Sequence, residues 1–344
     1  MKDKPPFIYC DTSSNNALKI FNLLKRPIVR QKFLADILWL RRRFKHVVPG
    51  EKQCLNHLPG ERSIFNKGIL TETLHTAAET EWAGFYPKSY CLYKKEHKER
   101  FFSKTRDGIW LLKPAGGSRG IGIEIYDDTK KIKDKLENDS LDGKYIVQKY
   151  IENPLLVNNH KVSIRNYWLV MTSNSMPLKA YMYPEGTAKV CTEPYDLKDL
   201  DNMSSHLTNT FQNKDRASYD PTKYKLNWNL LAKKLGDSSI EQKIIDRVQS
   251  ALSKLVNISH NEINKSPGKG GYFAMFGADW VLDENLNPWL SEVQRGPGLK
   301  FADPLKKVLL PNVIDETIDI VYETHKAKDK DSEPDCVKKY IRFK

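Results

Sequence analysis

The chain has 344 residues, a hydrophobic content of 40% and a formal net charge of +13. This length and composition exclude a disordered tail or a fibre and predict one large domain or two to three smaller ones. No apolar run reaches the roughly 18 residues of a membrane span, so we expect a cytoplasmic chain without a membrane partner. The positive net charge favours an anionic partner.

The first 50 residues carry most of this charge, with a local balance of +8. Their densest part, residues 31–44, predicts an amphipathic helix with basic residues beside its apolar stripe. The stripe would consist of Phe33, Leu34, Ile37, Leu38 and Phe44. A solvated helix over the core and, with less support, a membrane-surface helix are both compatible with this pattern.

Four later stretches have the composition of loops, namely residues 94–106, 201–224, 264–271 and 326–335. Their charged, polar, glycine-rich or proline-containing sequences contrast with the short strand-like and helix-like pieces around them. The third stretch predicts that a new strand begins at about residue 271.

The first chemical signal is a glycine-rich segment at residues 108–127, which contains Gly116, Gly117, Gly120 and Gly122. An apolar run precedes the glycines, and the alternation of Ile121, Ile123 and Ile125 predicts a strand after them. A phosphate-binding loop of the P-loop or Rossmann type would lead into a helix instead. The segment therefore predicts a flap over phosphates, with Arg119 and backbone N–H groups as donors, or only a tight turn.

The second signal is the strand predicted at residues 145–151, which carries Gln148 and Lys149. Together with Lys113 it offers a second ammonium group and hydrogen-bonding groups for a nucleotide. A strand with one polar edge explains the same residues without a ligand.

The third signal is the alternation of Lys161, Ser163 and Arg165 in residues 160–168. Alternate residues of a strand point to the same face, so these three side chains share one face. Two basic groups on a sheet face predict an anion against them, unless that face is exposed to solvent.

The fourth signal is a hairpin predicted at residues 272–298, with its turn at 283–285. It brings Asp279 opposite Glu292, with Gln294 beside them. An isolated carboxylate in a strand usually pairs with Lys or Arg, but two carboxylates together repel unless a hard cation neutralises them. Mg²⁺ that bridges nucleotide phosphates is the natural occupant, since it needs few protein oxygens.

In order, the segments WLLKP, YIVQKYIENPLL, HKVSIR, YPEGTAKVCTEPYD, HLTN and FGADWVLDENLNPWLSEVQ resemble the tubulin tyrosine ligase family over residues 87–298. That family consists of ATP-grasp ligases that add amino acids to tubulin tails. The resemblance implies an α+β ATP-grasp fold with the nucleotide between two β-sheets. The implied divisions are a basic N-terminal subdomain at 1–90, a central subdomain at 91–155, a C-terminal subdomain at 156–325 and a tail at 326–344.

The resemblance also implies ATP and Mg²⁺ as cofactors and assigns the site residues. Mg²⁺ would be bound by Asp279, Glu292 and Gln294. The catalytic residues would be Arg165, Lys161 and Lys189. ATP would contact Lys113, Gly117, Ser118, Arg119, Gly120, Gln148, Lys149, Tyr150, Ile151, Lys161, Ser163 and Asn209. We interpret most of the eight histidines as surface or packing residues, because none shows a catalytic pairing.

The implied function is ATP-dependent addition of a free amino acid to the acidic C-terminal tail of tubulin through an acyl phosphate, with tyrosine ahead of glutamate or glycine. We expect a monomer, cytoplasmic or associated with microtubules. Ser163, Lys189 and Gln294 replace the family's Asp, Arg and Asn, which leaves open an inactive member that binds microtubules or acidic proteins. Charge alone suggests nucleic-acid binding, which no base-reading motif supports.

Overall fold

The computed structural model describes residues 4–11, 13–42, 47–77, 84–103, 108–117, 120–138, 143–208, 220–301, 303–327 and 329–344. Its strands form a larger sheet and a four-stranded sheet, flanked by helices. This arrangement confirms the α+β class. The ATP-grasp subdivision and its boundaries stay predictions. No helix in these ranges has the length and apolar sequence needed to cross a membrane.

The larger sheet collects strands from both ends of the chain. Its strands are β1 (Ile8–Cys10), β2 (Ile37–Trp39), β3 (Cys54–Leu55), β8 (Leu156–Val157), β9 (His160–Ser173), β10 (Met176–Val190), β11 (Lys225–Asn227), β12 (Gly271–Leu282), β13 (Pro288–Arg295) and β14 (Ile341–Arg342). The order is β1-β2-β3-β12-β9-β10-β11, with β13 paired to β12, β14 to β10 and β8 to β9. β1, β2, β3 and β12 run parallel, and the remaining pairs are antiparallel.

Helices cover both faces of this sheet at β12. The long helix α9 (Ser239–Ile263) packs on the face that contains Ala274 and Phe276. The opposite face, with Phe273 and Met275, is covered by α1 (Asn15–Leu23) and α10 (Pro304–Lys326). Successive side chains of a strand point to opposite faces, so β12 is apolar almost without interruption where both faces are covered. The remaining helices near this sheet are α2 (Arg62–Phe65), α3 (Lys67–Ala77), α6 (Met203–His206), α7 (Pro221–Tyr224) and α8 (Trp228–Lys234).

The four-stranded sheet is antiparallel, with β4 (Ser89–Cys91), β7 (Tyr145–Lys149), β5 (Trp110–Pro114) and β6 (Glu124–Tyr126) in that spatial order. The helices α4 (Lys95–Phe102) and α5 (Thr129–Asn138) accompany it. Its core includes Phe101 and Trp110, whose ring centroids lie 5.1 Å apart in an edge-on arrangement. A cleft opens between the two sheets and is lined by residues of both.

The helix predicted at residues 31–44 is wrong. A short 3₁₀ helix, Lys32–Leu34, is followed by β2, and Phe33 and Leu34 are 77% and 53% exposed. β2 is buried between β1 and β3, and this parallel pairing outweighs the local helical periodicity. Phe44 lies outside the described residues.

Two predictions near the four-stranded sheet need correction. The charged stretch 94–106 is not a loop throughout, because α4 forms in it and buries Phe101. The strand after the glycines begins only at Glu124, since Gly120 and Gly122 have φ angles of 77° and 72° and the chain turns there. By contrast, the start of β12 at Gly271 confirms the strand predicted there.

Candidate functional site

The cleft lies on the face of β12 that contains Met275. After Met275, the apolar core no longer covers this face of the strand. On this face, Asp279 lines the cleft. Arg165 on β9 is its neighbour in register, and Glu292 on β13 lies opposite it on the other side. Residues directly opposite each other on antiparallel strands share a face, so these three polar side chains form a row across three strands. The sequence prediction that the hairpin pairs Asp279 with Glu292 is confirmed.

A β-bulge adjusts the hairpin at this point. The register shifts between Asp279 and Trp280, which leaves Ser291 as the extra residue of β13. Both Ser291 and its neighbour Glu292 line the cleft. Bulges re-aim side chains at functional sites, and this one accounts for two consecutive residues facing one cavity.

Asp279 is the centre of a buried network of charges. Arg165 donates to both carboxylate oxygens, from Nε at 2.7 Å and from Nη2 at 2.5 Å. Lys189 Nζ and Gln294 Nε2 each lie 3.4 Å from the same carboxylate. Burial opposes ionisation, but the charges of Arg165 and Lys189 outweigh it and hold the pKa of Asp279 well below its ordinary value.

Glu292 has a different environment although it lies beside Asp279. Burial raises its pKa, the charge of Asp279 adds to this, and Lys67 acts in the opposite direction. Lys67 Nζ lies 3.8 Å from Oε2 of Glu292 and donates to the carbonyl of Gly117 at 2.7 Å. Lys67 therefore joins the carboxylate pair to the glycine loop, a connection that the sequence analysis missed.

A second row on the same face contains Ser163, Lys189 and Lys225, which are neighbours in register on β9, β10 and β11. Ser163 Oγ and Thr208 Oγ1 share a hydrogen bond of 2.5 Å. Burial lowers the pKa of Lys189 to about 8, and the charge of Arg165 is the second largest cause of this shift. Arg165 and Ser163 are buried, so the alternative of a solvent-exposed sheet face is wrong.

Lys161 begins a hydrogen-bonded chain at the edge of the cleft. Its Nζ donates to the Tyr150 hydroxyl at 2.8 Å, and that hydroxyl lies 2.8 Å from Nδ1 of His206. Nε2 of His206 lies 2.9 Å from the carbonyl oxygen of Asp199. A donor at Nε2 leaves Nδ1 as an acceptor for the tyrosine proton, so the His206 ring and the Tyr150 hydroxyl both have hydrogen-bond partners. His206 thus has a pairing that the sequence did not reveal.

The four-stranded sheet contributes Lys113 to the cleft. Lys113 Nζ donates to Oε1 of Gln148 at 2.5 Å, and Nε2 of Gln148 donates to the hydroxyl of Ser89 at 2.8 Å. Burial lowers the pKa of Lys113 to about 7, and the charge of Lys67 is the second largest cause of this shift. The two sheets therefore place ammonium groups on both sides of one cavity.

A smaller cavity lies beside the cleft and shares Lys161 with it. This cavity is lined by Gln148, Lys149, Tyr150 and Ile151. The ammonium of Lys149 forms an ion pair with Glu152. This segment thus offers an apolar slot with a few polar groups beside a basic cleft, an arrangement suited to a base next to its phosphates.

Gly117 and Gly120, which the sequence assigns to ATP binding, line the cleft. Ser118, Arg119 and Asn209 lie outside the described residues. Thr208, which precedes Asn209, lines the cleft and bonds to Ser163. The roles assigned to all these residues from the sequence stay predictions.

The carboxylate pair suits a Mg²⁺ ion that shares its coordination with a polyphosphate. Within the described ranges, no group of three or more His, Cys, Asp and Glu side chains could hold a metal by itself. Asp279 is engaged by Arg165, but each carboxylate oxygen has a second lone pair. The ion pair that Glu292 forms within the described part of the chain is the 3.8 Å contact with Lys67. Mg²⁺ usually takes one or two carboxylates and completes its shell with phosphate and water, which is what this site offers.

The buried charge of Lys113 predicts a pH dependence of stability in the ligand-free chain. Between about pH 7 and its ordinary pKa of 10.5, Lys113 is mostly neutral in the folded chain and protonated in the unfolded chain. Folding therefore releases a proton, and this release costs less free energy as the pH rises. We expect the free energy of unfolding in urea to rise from about pH 7 to about pH 9, and to rise less in Lys113→Met. Lys130→Met, a change at an exposed lysine, should follow the wild type. An unaltered slope in Lys113→Met would contradict this account.

Known proteins resemble this chain over much of its length. The sequence profile of the tubulin-tyrosine ligase family matches residues 46–330. The human "Probable tubulin polyglutamylase TTLL2" is 31% identical over 287 residues, covering 78% of this chain and 46% of that protein. The Tetrahymena thermophila "Tubulin glycylase 3D" is 32% identical over 230 residues, covering 65% of this chain and 22% of that protein.

The Caenorhabditis elegans "Probable tubulin polyglutamylase ttll-9" is 28% identical over 291 residues, covering 79% of this chain and 68% of that protein. The chain spans about half the length of the human and mouse TTLL2 proteins, 46% and 53%. The profile match extends over most of the 344 residues and confirms the resemblance found in the sequence. The chain belongs to the tubulin-tyrosine ligase family.

Proposed function

We propose that the chain is an ATP- and Mg²⁺-dependent ligase that adds an amino acid to the acidic C-terminal tail of tubulin. The observation that carries this proposal is the cleft between the sheets, where four lysines surround a carboxylate pair. These lysines are Lys67, Lys113, Lys161 and Lys189, and the pair is Asp279 and Glu292. A largely buried cavity with more ammonium than carboxylate groups favours a polyanion, and a triphosphate with its cation matches both signs of charge.

The proposed reaction needs positioning and neutralisation of charge more than covalent chemistry from the protein. The tail carboxylate attacks the γ-phosphate of ATP, ADP leaves, and an acyl phosphate forms. The amine of the free amino acid then attacks the acyl carbon, which yields an amide, inorganic phosphate and a proton. Lys113 and Lys67 would hold the phosphates, and Arg165 would face the reacting carboxylate beside Asp279.

Bound Mg²⁺ would supply neutralisation of phosphate charge at Asp279 and Glu292. The chain's own residues keep these carboxylates in place, because Arg165 fixes Asp279 with two hydrogen bonds and β12 pairs directly with β13. Gln294 is tied to Asp279 at 3.4 Å and stays the proposed third ligand.

We propose glutamate as the transferred amino acid, with glycine second. The relatives reported above are named polyglutamylases and a glycylase. The preference for tyrosine drawn from the sequence stays a prediction without support from these names. A cytoplasmic or microtubule-associated location and a monomeric state belong to the same proposal.

The direct test is incubation of the chain with Mg·ATP, tubulin and labelled glutamate, glycine or tyrosine in separate reactions. We expect ATP-dependent incorporation of label into the tubulin tail, with formation of ADP and phosphate. Binding of Mg·ATP without incorporation of any of the three would instead favour the inactive binding module. Absence of both binding and incorporation would overturn the proposal.

A further inference from the structure

A groove separate from the nucleotide cleft lies at the carboxyl ends of three parallel strands. After β1, β2 and β3 the chain continues into Ser13, Arg41 and Asn56, which line the groove together with Lys19 of α1 and Arg295 of β13. No described residue lines both this groove and the cleft. Ligands of open α/β sheets bind outside the carboxyl ends of parallel strands, so a ligand is expected at this position.

The groove is positively charged. Lys19, Arg41 and Arg295 line it, and in the part of the chain that the structure describes no Asp or Glu side chain does. Asp11 lies after β1, but its Oδ1 accepts the hydroxyl proton of Ser13 and its Oδ2 accepts the backbone N–H of Arg41. The surface of the groove therefore favours an anionic ligand.

The three basic side chains differ in their partners. Nη1 of Arg295 lies 3.3 Å from Oε1 of Glu61, and its Nη2 donates to the carbonyl oxygen of Arg41 at 3.1 Å. Arg295 is thus partly neutralised and holds the backbone at Arg41 in place. Lys19 and Arg41 are exposed, and neither forms an ion pair with another described residue. These two side chains supply the charge that is left for a ligand.

β12 has a short stretch of free edge beside the groove. On the edge away from β9, β3 pairs with residues 271–272 and β13 pairs with residues 276–282. Residues 273–275 between them have no partner on this edge among the described strands, and Ala274 and Met275 line the groove. Free strand edges accept the main chain of extended peptides, so the groove offers backbone hydrogen bonds as well as positive charge.

The groove lies a short distance along β12 from the reaction centre. Met275 lines the groove, and Asp279, on the same face of the strand, lines the cleft. At about 3.3 Å per residue these two positions are roughly 13 Å apart. Between them Pro297 packs over Gly277, where a Cβ atom would lie 2.9 Å from Cβ of Pro297. An extended peptide that crosses Pro297 would need about four residues to join the two cavities.

We propose that the groove binds an acidic side chain of the acceptor peptide, about four residues from the residue that is modified. Lys19 and Arg41 would bind this carboxylate, and the free edge of β12 would hold the peptide backbone. The inference rests on the proposed ligase function and specifies which acceptor the chain selects, an extended peptide with an acidic residue at that spacing.

The incoming amino acid is the other source of a carboxylate. A free glutamate spans only about 6 Å from its amine to its side-chain carboxylate, so it is too short to reach the groove from the reaction centre. The experiment separates the two sources by measuring both substrates.

The test compares Arg41→Gln with Arg42→Gln in the full chain. Arg42 is also exposed but does not line the groove, so it is the matched control. Binding of a fluorescent tubulin-tail peptide is measured by anisotropy with Mg²⁺ and a non-hydrolysable ATP analogue present. A peptide series replaces each acidic residue, one at a time, by its amide. The KM values for the peptide and for the free amino acid are measured in the transfer assay.

We expect Arg41→Gln to raise the dissociation constant and KM of the peptide about tenfold, since a charge-assisted hydrogen bond is lost. Arg42→Gln should bind the peptide like the wild type. Neutralising the one acidic residue in the groove should weaken binding to the wild type equally and cause no further loss in Arg41→Gln. Mass spectrometry of the product should place that residue about four positions from the modified one. The KM of the amino acid should stay near wild type.

Equal losses in Arg41→Gln and Arg42→Gln would indicate general attraction between charges and would overturn the inference. Additive losses with every peptide, an increase confined to the KM of the amino acid, or no peptide binding by the wild type would also overturn it. Failure of the proposed function is distinguishable because anisotropy needs no turnover. In that case the peptide would bind with the expected pattern, but no amino acid would be transferred.

Discussion

Glu292→Gln is expected to abolish the rise in melting temperature that Mg·ATP produces and to lower amino-acid transfer by about a hundredfold or more. The substitution keeps the size of the side chain but removes the carboxylate that faces Asp279 across β12 and β13. Burial already raises the pKa of Glu292, so the neutral side chain should be tolerated by the fold. Thermal unfolding with and without Mg·ATP and the transfer assay measure the two effects.

Glu284→Gln provides the matched control, because it is an exposed glutamate in the turn of the same hairpin. We expect this variant to bind Mg·ATP and to transfer amino acids like the wild type. A Glu292→Gln variant that kept its Mg·ATP-dependent stabilisation would contradict a role of this carboxylate in binding the ion.

Arg165→Met is expected to lower the free energy of unfolding by about 3–5 kcal/mol, because it leaves the buried carboxylate of Asp279 without its bidentate partner. Arg165→Lys should recover only part of the loss, since an ammonium cannot reproduce two parallel hydrogen bonds. Urea unfolding of the ligand-free variants at neutral pH gives the values.

The double variant Arg165→Met with Asp279→Leu separates the effect of losing the ion pair from the effect of losing packing around Arg165. Replacing both partners by apolar side chains should restore most of the stability, whereas activity stays absent. Equal destabilisation of the single and double variants would show that the loss comes from packing around Arg165 and not from the uncompensated charge.

The hairpin of the site could be predicted because its signals are local. Asp283 explains the turn: its Oδ1 accepts the backbone N–H groups of Asn285 and Asn287. Strand alternation then places Asp279 opposite Glu292. Turn chemistry and a period of two residues are both visible in a single sequence.

The basic N-terminal region shows the limit of such local signals. The apolar stripe of residues 31–44 fits a helix, but Ile37 and Leu38 pair with β1 and β3, and both of these strands lie outside that segment of the sequence. The periodicity of a short segment does not contain these partners, so tertiary pairing outweighed it.

Lys67 was missed for a related reason. It is a single lysine at the beginning of α3, with nothing in the neighbouring sequence that separates it from an ordinary exposed lysine. Only the fold brings Lys67 to Glu292. Isolated charges whose partners are distant in the chain have no pattern that a sequence can reveal.

The most direct test of the ligase account is a crystal structure with Mn²⁺ in place of Mg²⁺ and a non-hydrolysable ATP analogue. The account predicts an anomalous peak for the ion at the carboxylates of Asp279 and Glu292, with the triphosphate against Lys67 and Lys113 beneath the glycine loop. A nucleotide bound elsewhere, or a cleft in which no ion appears at Asp279 and Glu292 beside the phosphates, would contradict it.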